Sequence, residues 1–235
     1  MSLIIESIEF YLPENIVTNA DLQKENPDWN LEKITEKSGV YQRHIAGKNE
    51  TAYDLSIKAC DKLFQTNDKS EIDGIIYCTQ SPDYIMPPNS FLLHKYLCLK
   101  DGVIAFDFNH ACTGYIYCLA MANAFVKAGI AKQILLVTAD TYSKYINNKD
   151  RSTRVLFGDG AGAAILQKSD GKRGILSTHL HCQGSNLKNL WMEAPGSAEN
   201  CQITTIRLEE GRHFPYMNGR EVFRHAVLRF PEVIQ

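Results

Sequence analysis

The chain has 235 residues, of which 44% are hydrophobic and 22% are charged. This composition is typical of an ordinary globular protein with room for one large or two small domains. The formal net charge of −2 argues against nucleic acid or an anionic membrane surface as a partner, and no apolar run approaches the roughly 18 residues of a membrane span.

The N-terminal segment and the cysteines indicate the compartment. Residues 1–13 lack a basic start and carry Glu6 and Glu9 inside an apolar stretch, which argues against a signal peptide. The seven cysteines are odd in number and form no CxxC pair, a pattern that favours free thiols in a reducing compartment. We therefore expect a cytoplasmic protein.

Hydrophobic periodicity predicts strands and helices in alternation. In chain order we predict a strand at 3–10, helices at 18–24, 30–38 and 51–65, a strand at 72–78, a helix ending near residue 98 after a Pro-rich loop, a strand at 103–108, a helix at 112–128, strands at 133–140, 161–167 and 174–181, and a helix at 220–230. This order predicts a layered α/β fold. The GDGAGAA stretch at 158–164 leads into a strand, which favours a tight turn over a nucleotide-binding loop.

Cys112 lies where a strand ends and a mostly apolar helix is predicted to begin. Unpaired backbone N–H groups and the positive end of the helix dipole stabilise a thiolate at such a position. The same N–H groups can hold the oxyanion formed when the sulfur attacks a thioester. Position alone leaves a second interpretation open, in which Cys112 is a buried core residue in a tight turn.

Three histidines near or beyond this stretch are candidates that we leave out of the predicted site. His110 precedes Cys112 by two residues, but the sequence does not fix the direction of its ring. His179 and His181 share one face of the predicted strand at 174–181, yet no third metal ligand accompanies them. We expect structural roles for this pair and no metal site.

Several blocks of sequence, matching in order and spacing, resemble the β-ketoacyl-acyl-carrier-protein synthase III family of the thiolase superfamily. The blocks are YLPENIVTNADL, SGVYQRHIA, HACTGYIYCLAMANAFVKAG, DRSTRVLFGDGAGAAIL, GILSTHLH and MNGREVF. The resemblance covers nearly the whole chain and implies the thiolase-like αβαβα layered fold. It places the nucleophile-bearing half at residues 1–170 and the beginning of the second half at 171–235.

The resemblance also implies a reaction. Members of the family condense an acyl-CoA with malonyl-acyl carrier protein and release carbon dioxide, and the cysteine that is acylated first corresponds to Cys112. The implied partners are acyl-CoA, an acyl carrier protein and a second copy of the chain in a homodimer. Acyl-CoA enters as a substrate, and neither a cofactor nor a metal is expected.

The resemblance implies four residues of a CoA site: two that hold the adenine, one near the phosphates and one in the wall of the pocket. Trp29 and Arg151 match the pair that sandwiches the adenine. Lys37 stands where the family has an arginine near the CoA phosphates, and it keeps the charge but not the bidentate fork. Phe157 matches a wall of the pocket.

Three further positions complete the residues implied by the resemblance. Met217 and Gly219 match residues beside the pantetheine arm. Met86 lies in a loop that, in the family, crosses to the partner subunit and closes its acyl pocket. A flexible thioether at that place favours an acyl group other than acetyl.

One part of the family's site has no counterpart in this sequence. The family completes condensation with a His and an Asn from motifs of the HQAN and GNT kind, and neither motif occurs here. We therefore expect a fragment of a longer enzyme or a truncated gene product. Two other functions stay open: an acyltransferase that passes the acyl group to an amine or a hydroxyl, and a non-catalytic partner that contributes Met86 to the pocket of a full-length condensing enzyme.

Overall fold

The computed structural model describes residues 3–171, 173–198 and 204–234, so Cys201 lies outside the described residues. The strands and helices in chain order are β1 (Leu3–Tyr11), β2 (Ile16–Thr18), α1 (Asn19–Glu25), α2 (Leu31–Ser38), β3 (Gln42–His44), α3 (Ala52–Leu63), β4 (Gly74–Cys78), α4 (Asn89–Leu97), β5 (Ile104–Phe108), α5 (Gly114–Lys127), β6 (Gln133–Asp140), α6 (Arg151–Arg154), β7 (Gly160–Lys168), β8 (Leu190–Trp191), α7 (Thr205–Glu209), β9 (Tyr216–Met217) and α8 (Gly219–Ile234). Short 3-10 turns lie at Lys69–Glu71, Tyr142–Lys144 and Gly184–Asn189.

The chain divides into two compact units. The first comprises the described residues of Met1–Ile16, His44–Tyr142 and Gly158–Thr178. The second comprises the described residues of Val17–Arg43, Ser143–Phe157 and His179–Gln235.

A five-stranded mixed sheet forms the centre of the first unit. Its strand order is β1-β7-β6-β4-β5. β5, β4 and β6 run parallel to one another, whereas β7 runs antiparallel to both β6 and β1. The three parallel strands therefore end at the same edge of the sheet, and the loops that follow them leave from that edge.

Helices cover both faces of this sheet, as the sequence of β4 shows. All five residues of β4 (GIIYC) are buried. Ile75 and Tyr77 pack into the core cluster formed with α3 and α4, whereas Ile76 and Cys78 pack into the cluster formed with α5. An apolar run without polar alternation is what a parallel strand covered on both faces requires, so the layered α/β prediction is confirmed.

The helix starts follow from local sequence signals. α3 begins with a capping box, in which the Thr51 hydroxyl accepts from the N–H of Asp54 while the Asp54 carboxylate accepts from the N–H of Thr51. The same arrangement of Thr18 and Asp21 begins α1 in the second unit. Such reciprocal bonds satisfy N–H groups that the helix itself leaves unpaired.

The second unit holds a small core and two short sheets. The buried residues of this core are Leu22, Leu31 and Val155, and Trp29 packs against them. β2 pairs with β3, and β8 pairs antiparallel with β9. Within the described residues, α8 buries no side chain, and apolar residues including Phe223 are exposed along it.

Two predicted elements differ from the structure. The strand predicted at 174–181 is wrong: of its residues, Ile175 donates one backbone bond, to the carbonyl of Leu3, and the rest form no described strand. An apolar stretch becomes a strand only where a neighbouring strand accepts its ladder of bonds. α5 begins at Gly114 instead of Cys112. No helix among the described residues is long and apolar enough to cross a membrane.

Candidate active site

Cys112 follows β5 at the edge where the three parallel strands end. Cys78, the last residue of β4, is in register with Phe108 of β5 and with Thr138 of β6. The loop after β4 and the turn after β5 therefore leave the sheet side by side. Ligands in open α/β sheets bind at the carboxyl ends of the strands, so the topology places Cys112 where a substrate is expected.

The turn that carries Cys112 is short and well defined. The N–H of Gly114 donates to the carbonyl of Ala111 at 2.7 Å, and the carbonyl of Thr113 accepts from Ile116 and Tyr117 to begin α5. Cys112 itself is exposed. In the described part of the chain, the N–H groups of Cys112 and Thr113 have no protein acceptor. They are therefore available to a substrate oxygen, as an oxyanion site requires.

Gly114 allows the turn to pack closely against the end of β4. A Cβ atom at this position would lie 2.5 Å from the Cys78 sulfur and 3.1 Å from Cβ of His110. Atoms of this size do not approach so closely, so a side chain here would displace the strand or the turn. The structure explains the glycine by close contact, and its backbone is that of an ordinary helix start.

The other cysteines of this region differ from Cys112 in burial. Cys60, Cys78 and Cys118 are buried in the core. A hydrogen bond with Cys78, followed by burial, raises the pKa of Cys118 far above the ordinary value. Burial also raises the pKa of Cys60, and thiols of this kind are poor nucleophiles. The hydrogen bond with Cys118 lowers the pKa of Cys78, but burial closes this thiol to a substrate. Cys98 is exposed but lies at the C-terminal end of α4, away from any helix N-terminus.

Asp140 anchors the beginning of the loop that follows β4. Its Oδ1 atom accepts from the N–H groups of Gln80 (2.8 Å) and Ser81 (3.0 Å) and from the hydroxyls of Thr79 (3.1 Å) and Ser81 (2.9 Å). The Ser81 hydroxyl also accepts from the N–H of Thr141 at 2.8 Å. Burial raises the pKa of Asp140 despite these bonds. The carboxyl group thus ties the ends of β4 and β6 together.

Asp107 anchors the end of the same loop. Pro88 stands at the N-cap of α4 and has no side chain that can accept a bond. The Asp107 carboxylate of β5 takes this role from outside the helix, accepting from the N–H groups of Asn89 and Ser90 at 2.8 Å each. Between the two anchors the loop projects Met86, whose side chain is 79% exposed.

The remaining predicted site residues all belong to the second unit. The segments that carry Trp29 and Arg151 lie close together. Trp29 is half-buried and packs in the cluster that contains Val155 and Leu156. These residues follow directly on α6, where Arg151 is the first residue and is exposed. Asp150 caps this helix by accepting from the N–H of Ser152. The predicted adenine pair thus comes from two segments that share one small core.

The other four of these residues lie elsewhere in the second unit. Lys37 is exposed in the last turn of α2. Phe157 is half-buried just after α6, and its N–H donates to the carbonyl of Thr153. Met217 lies in β9 opposite Leu190 of β8, and Gly219 is the exposed first residue of α8. Their assignment to CoA stays a prediction.

Sequence reasoning missed Asp140, Asp107 and Arg43. The two aspartates carry a signal in the sequence, because an acidic residue ends the apolar strand QILLVTAD and another interrupts VIAFDF. The buried Arg43 guanidinium donates to the carbonyls of Val17 and Val155. An arginine in this position organises the backbone of the second unit.

Comparison with known proteins agrees with these observations. The sequence profile of the family described as "3-Oxoacyl-[acyl-carrier-protein (ACP)] synthase III" matches residues 106–184, which include Cys112. The β-ketoacyl-[acyl-carrier-protein] synthase III of Chlamydia caviae is 40% identical over 93% of this chain and 65% of its own length. That of Paramagnetospirillum magneticum is 38% identical over 95% of this chain and 68% of its own length.

Solved structures give the same result. A crystal structure of a 3-oxoacyl-(acyl-carrier-protein) synthase III superimposes with a TM-score of 0.87 at 35% identity, covering 99% of this chain and 72% of that protein. The fold is therefore the thiolase-like α/β fold of these enzymes. The chain spans about two thirds of the length of the curated relatives that it matches. It belongs to the 3-oxoacyl-[acyl-carrier-protein] synthase III family of condensing enzymes.

Proposed function

We propose that this chain accepts an acyl group from acyl-CoA on Cys112 and supplies it for condensation with malonyl-acyl carrier protein. The observation that carries the proposal is the exposed Cys112 in the turn before α5, with the N–H groups of Cys112 and Thr113 unpaired within the described residues. The other described thiols are buried or lie outside such a turn. Family membership supplies the identity of the donor.

The acylation step follows from this geometry. The Cys112 thiolate attacks the carbonyl carbon of the thioester, and the unpaired N–H groups stabilise the resulting oxyanion. Collapse of the intermediate breaks the bond between carbon and the CoA sulfur. The products are the Cys112 thioester and CoA thiolate, which takes up a proton from water. In the second step the malonyl group of malonyl-acyl carrier protein loses its carboxylate as carbon dioxide, its C2 atom bonds to the acyl carbonyl carbon, and the bond from that carbon to sulfur breaks, which regenerates the Cys112 thiolate.

The partners are part of the same proposal. Acyl-CoA and an acyl carrier protein are its substrates, and a homodimer is its expected assembly. The exposed side chain of Met86 supports the idea that this loop is covered by a second copy, where the thioether would limit the length of the acyl group.

Substituting Cys112 tests the acylation step. Cys112→Ala is expected to abolish incorporation of radioactive acyl groups from acyl-CoA and the accompanying release of CoA thiol. Cys98→Ala is the matched control, because it removes an exposed thiol that lies outside the turn, and it should label like the parent. Full labelling of Cys112→Ala would refute the proposal.

A second assay separates the proposed function from its alternatives. Carbon dioxide release from malonyl-acyl carrier protein, dependent on Cys112, identifies condensation. Acylation without that release, followed by transfer to an amine or a hydroxyl, identifies an acyltransferase. The absence of acylation in the chain alone, with activity gained by a full-length condensing enzyme on mixing, identifies a non-catalytic partner.

The role of Arg151 gives a prediction that is independent of the nucleophile. Arg151→Gln is expected to raise the acyl-CoA concentration that half-saturates acylation about tenfold, the equivalent of one lost contact of about 1.4 kcal/mol. The maximal acylation rate should stay the same, since the adenine end of CoA takes no part in bond making. Arg229→Gln, an exposed arginine of the same unit paired with Glu232, is the control. Equal half-saturation in both variants would contradict the assignment.

A further inference from the structure

His110 has a well-defined environment that the proposed acylation step leaves unused. Its ring stacks on Tyr117 of α5, with centroids 4.6 Å apart and planes at 28°, and on Phe108 of β5 at 5.3 Å and 14°. Stacked aromatic contacts of this kind fix the orientation of a ring. The imidazole therefore connects the end of the strand with the beginning of the helix, across the turn that carries Cys112.

Polar contacts hold the same residue from two other directions. Nδ1 of His110 lies 3.2 Å from the hydroxyl oxygen of Thr113, the residue that follows Cys112. The carbonyl of His110 accepts from the Cys78 thiol at 3.5 Å. Three neighbours on three elements thus determine where His110 lies: Cys78 on β4, Thr113 in the turn and Tyr117 on α5.

Cys112 lies between two residues that are joined by this bond. His110 precedes it by two positions and Thr113 follows it directly. With the bond made, the turn at 110–113 is closed by side chains as well as by the backbone, which fixes the backbone from which the Cys112 side chain projects. Without it, the turn can relax while β5 and α5 keep their own hydrogen bonds. A displacement of this kind moves the nucleophile relative to the N–H groups that serve it.

We propose that His110 is a positioning residue for Cys112, acting through its hydrogen bond to Thr113 and its stacking on Tyr117. This role rests on the proposed acylation and extends it to a residue outside the reacting groups. It differs from that of a general base, because the imidazole acts on the direction of the sulfur and takes no proton from it.

A set of four variants tests the proposal. His110→Phe keeps a stacking ring and removes the bond to Thr113. Thr113→Val removes the other partner of the same bond with little change in volume. The double variant His110→Phe/Thr113→Val lacks both partners, so it also loses only this one bond. His110→Ala removes both the bond and the stacking. The control is His94→Phe, the same substitution on α4, where the ring nitrogen is bonded to the carbonyl of Lys100.

Two rates are measured, together with the melting temperature. The first is acylation by acetyl-CoA, resolved into the saturating rate and the half-saturating concentration. The second is alkylation of Cys112 by iodoacetamide, followed on the Cys112 peptide by mass spectrometry, which needs no CoA site. We expect His110→Ala to lower the saturating acylation rate roughly 10- to 100-fold, the size of effect that a small misplacement of a reacting group produces, with unchanged half-saturation.

The two variants that remove only the hydrogen bond between His110 and Thr113 should behave alike. His110→Phe and Thr113→Val should each slow acylation and alkylation by a smaller, similar factor, and the double variant should be no slower than either, because all three lose one and the same bond. If His110→Ala fails to fold, these variants decide the question. His94→Phe should match the parent in both rates.

The outcomes separate this proposal from the proposed function. Unchanged rates in His110→Phe and Thr113→Val, or effects that add in the double variant, would overturn the positioning role. Slower acylation with unchanged alkylation would also overturn it, since His110 would then act on the acyl-CoA. If the parent itself is not acylated but alkylation slows in the expected order, the positioning role is supported and the proposed donor is wrong.

Discussion

Gly114→Ala is expected to lower the free energy of unfolding by about 1–3 kcal/mol, the range for overpacking a filled site, and to slow acylation of Cys112. The added Cβ would meet the Cys78 sulfur at 2.5 Å and Cβ of His110 at 3.1 Å. Because Cys78 ends a buried strand, the turn is the part that must move. Thermal or urea unfolding measures the first effect and single-turnover acylation the second.

A second substitution in the same contact tests the cause. Cys78→Ala removes the sulfur, so the double variant Cys78→Ala/Gly114→Ala should recover part of both losses. Gly102→Ala is the control, because its Cβ would have no neighbour within 4 Å. Gly114→Ala with the stability and acylation rate of Gly102→Ala would show that the turn does not need this close approach. A double variant no better than Gly114→Ala would exclude the Cys78 contact as the cause.

Asp140→Ala is expected to destabilise the chain by about 3 kcal/mol, because it leaves buried donors without an acceptor. Four donors converge on Oδ1 of this residue, two of them backbone N–H groups at the start of the loop after β4. Faster amide hydrogen exchange at Gln80 and Ser81 should accompany the loss. Exchange rates unchanged at these two amides would contradict the anchoring role.

Asp140→Asn separates the hydrogen bonds from the charge. An amide oxygen in the place of Oδ1 can accept the same bonds without the cost of burying a charge, so this variant should be far more stable than Asp140→Ala. The pKa of Asp140 is raised by burial, so the folded chain binds more protons than the unfolded chain between the ordinary and the raised value. Stability therefore falls as pH rises through that window.

The pH dependence of the free energy of unfolding, compared between the parent and Asp140→Asn, is the control. Asp140→Asn has no proton to lose, so the part of the decline that is due to Asp140 should disappear from its stability profile. Urea unfolding of parent and variant over the acidic range measures the difference. Parallel profiles would show that the buried carboxyl group does not titrate as its environment indicates.

The middle of the central sheet was predictable because β4 and β6 are covered on both faces. Continuous apolar runs such as GIIYC and QILLV leave few alternatives, and the helices between them carry clear caps. The position of Cys112 followed from the same pattern, since a strand that reverses directly into a helix has only one place for its turn. The predicted start of α5, at Cys112, is two residues too early. The helix begins at Gly114, because Thr113 caps it without a side-chain bond and gives no sequence signal.

The contacts that shape the site were not predictable from the sequence, because most of them join residues that are distant along the chain. Asp107 and Asp140 act on residues that lie 18 and 60 positions away in sequence, and only the register of β4, β5 and β6 brings them together. The direction of the His110 ring depends on Tyr117 and Thr113 in the same way. The strand predicted at 174–181 shows the opposite case, in which a suitable sequence lacks a neighbouring strand among the described residues.

Acylation of Cys112 is tested most directly by incubating the chain with acetyl-CoA and a panel of longer acyl-CoAs, and by mapping the acyl group with peptide mass spectrometry. We expect one acyl group per chain, carried by the peptide that contains Cys112, and the preferred length of the acyl chain would give the first evidence on the role of Met86. An acyl group on another cysteine, or no acyl group from any member of the panel, would contradict this expectation.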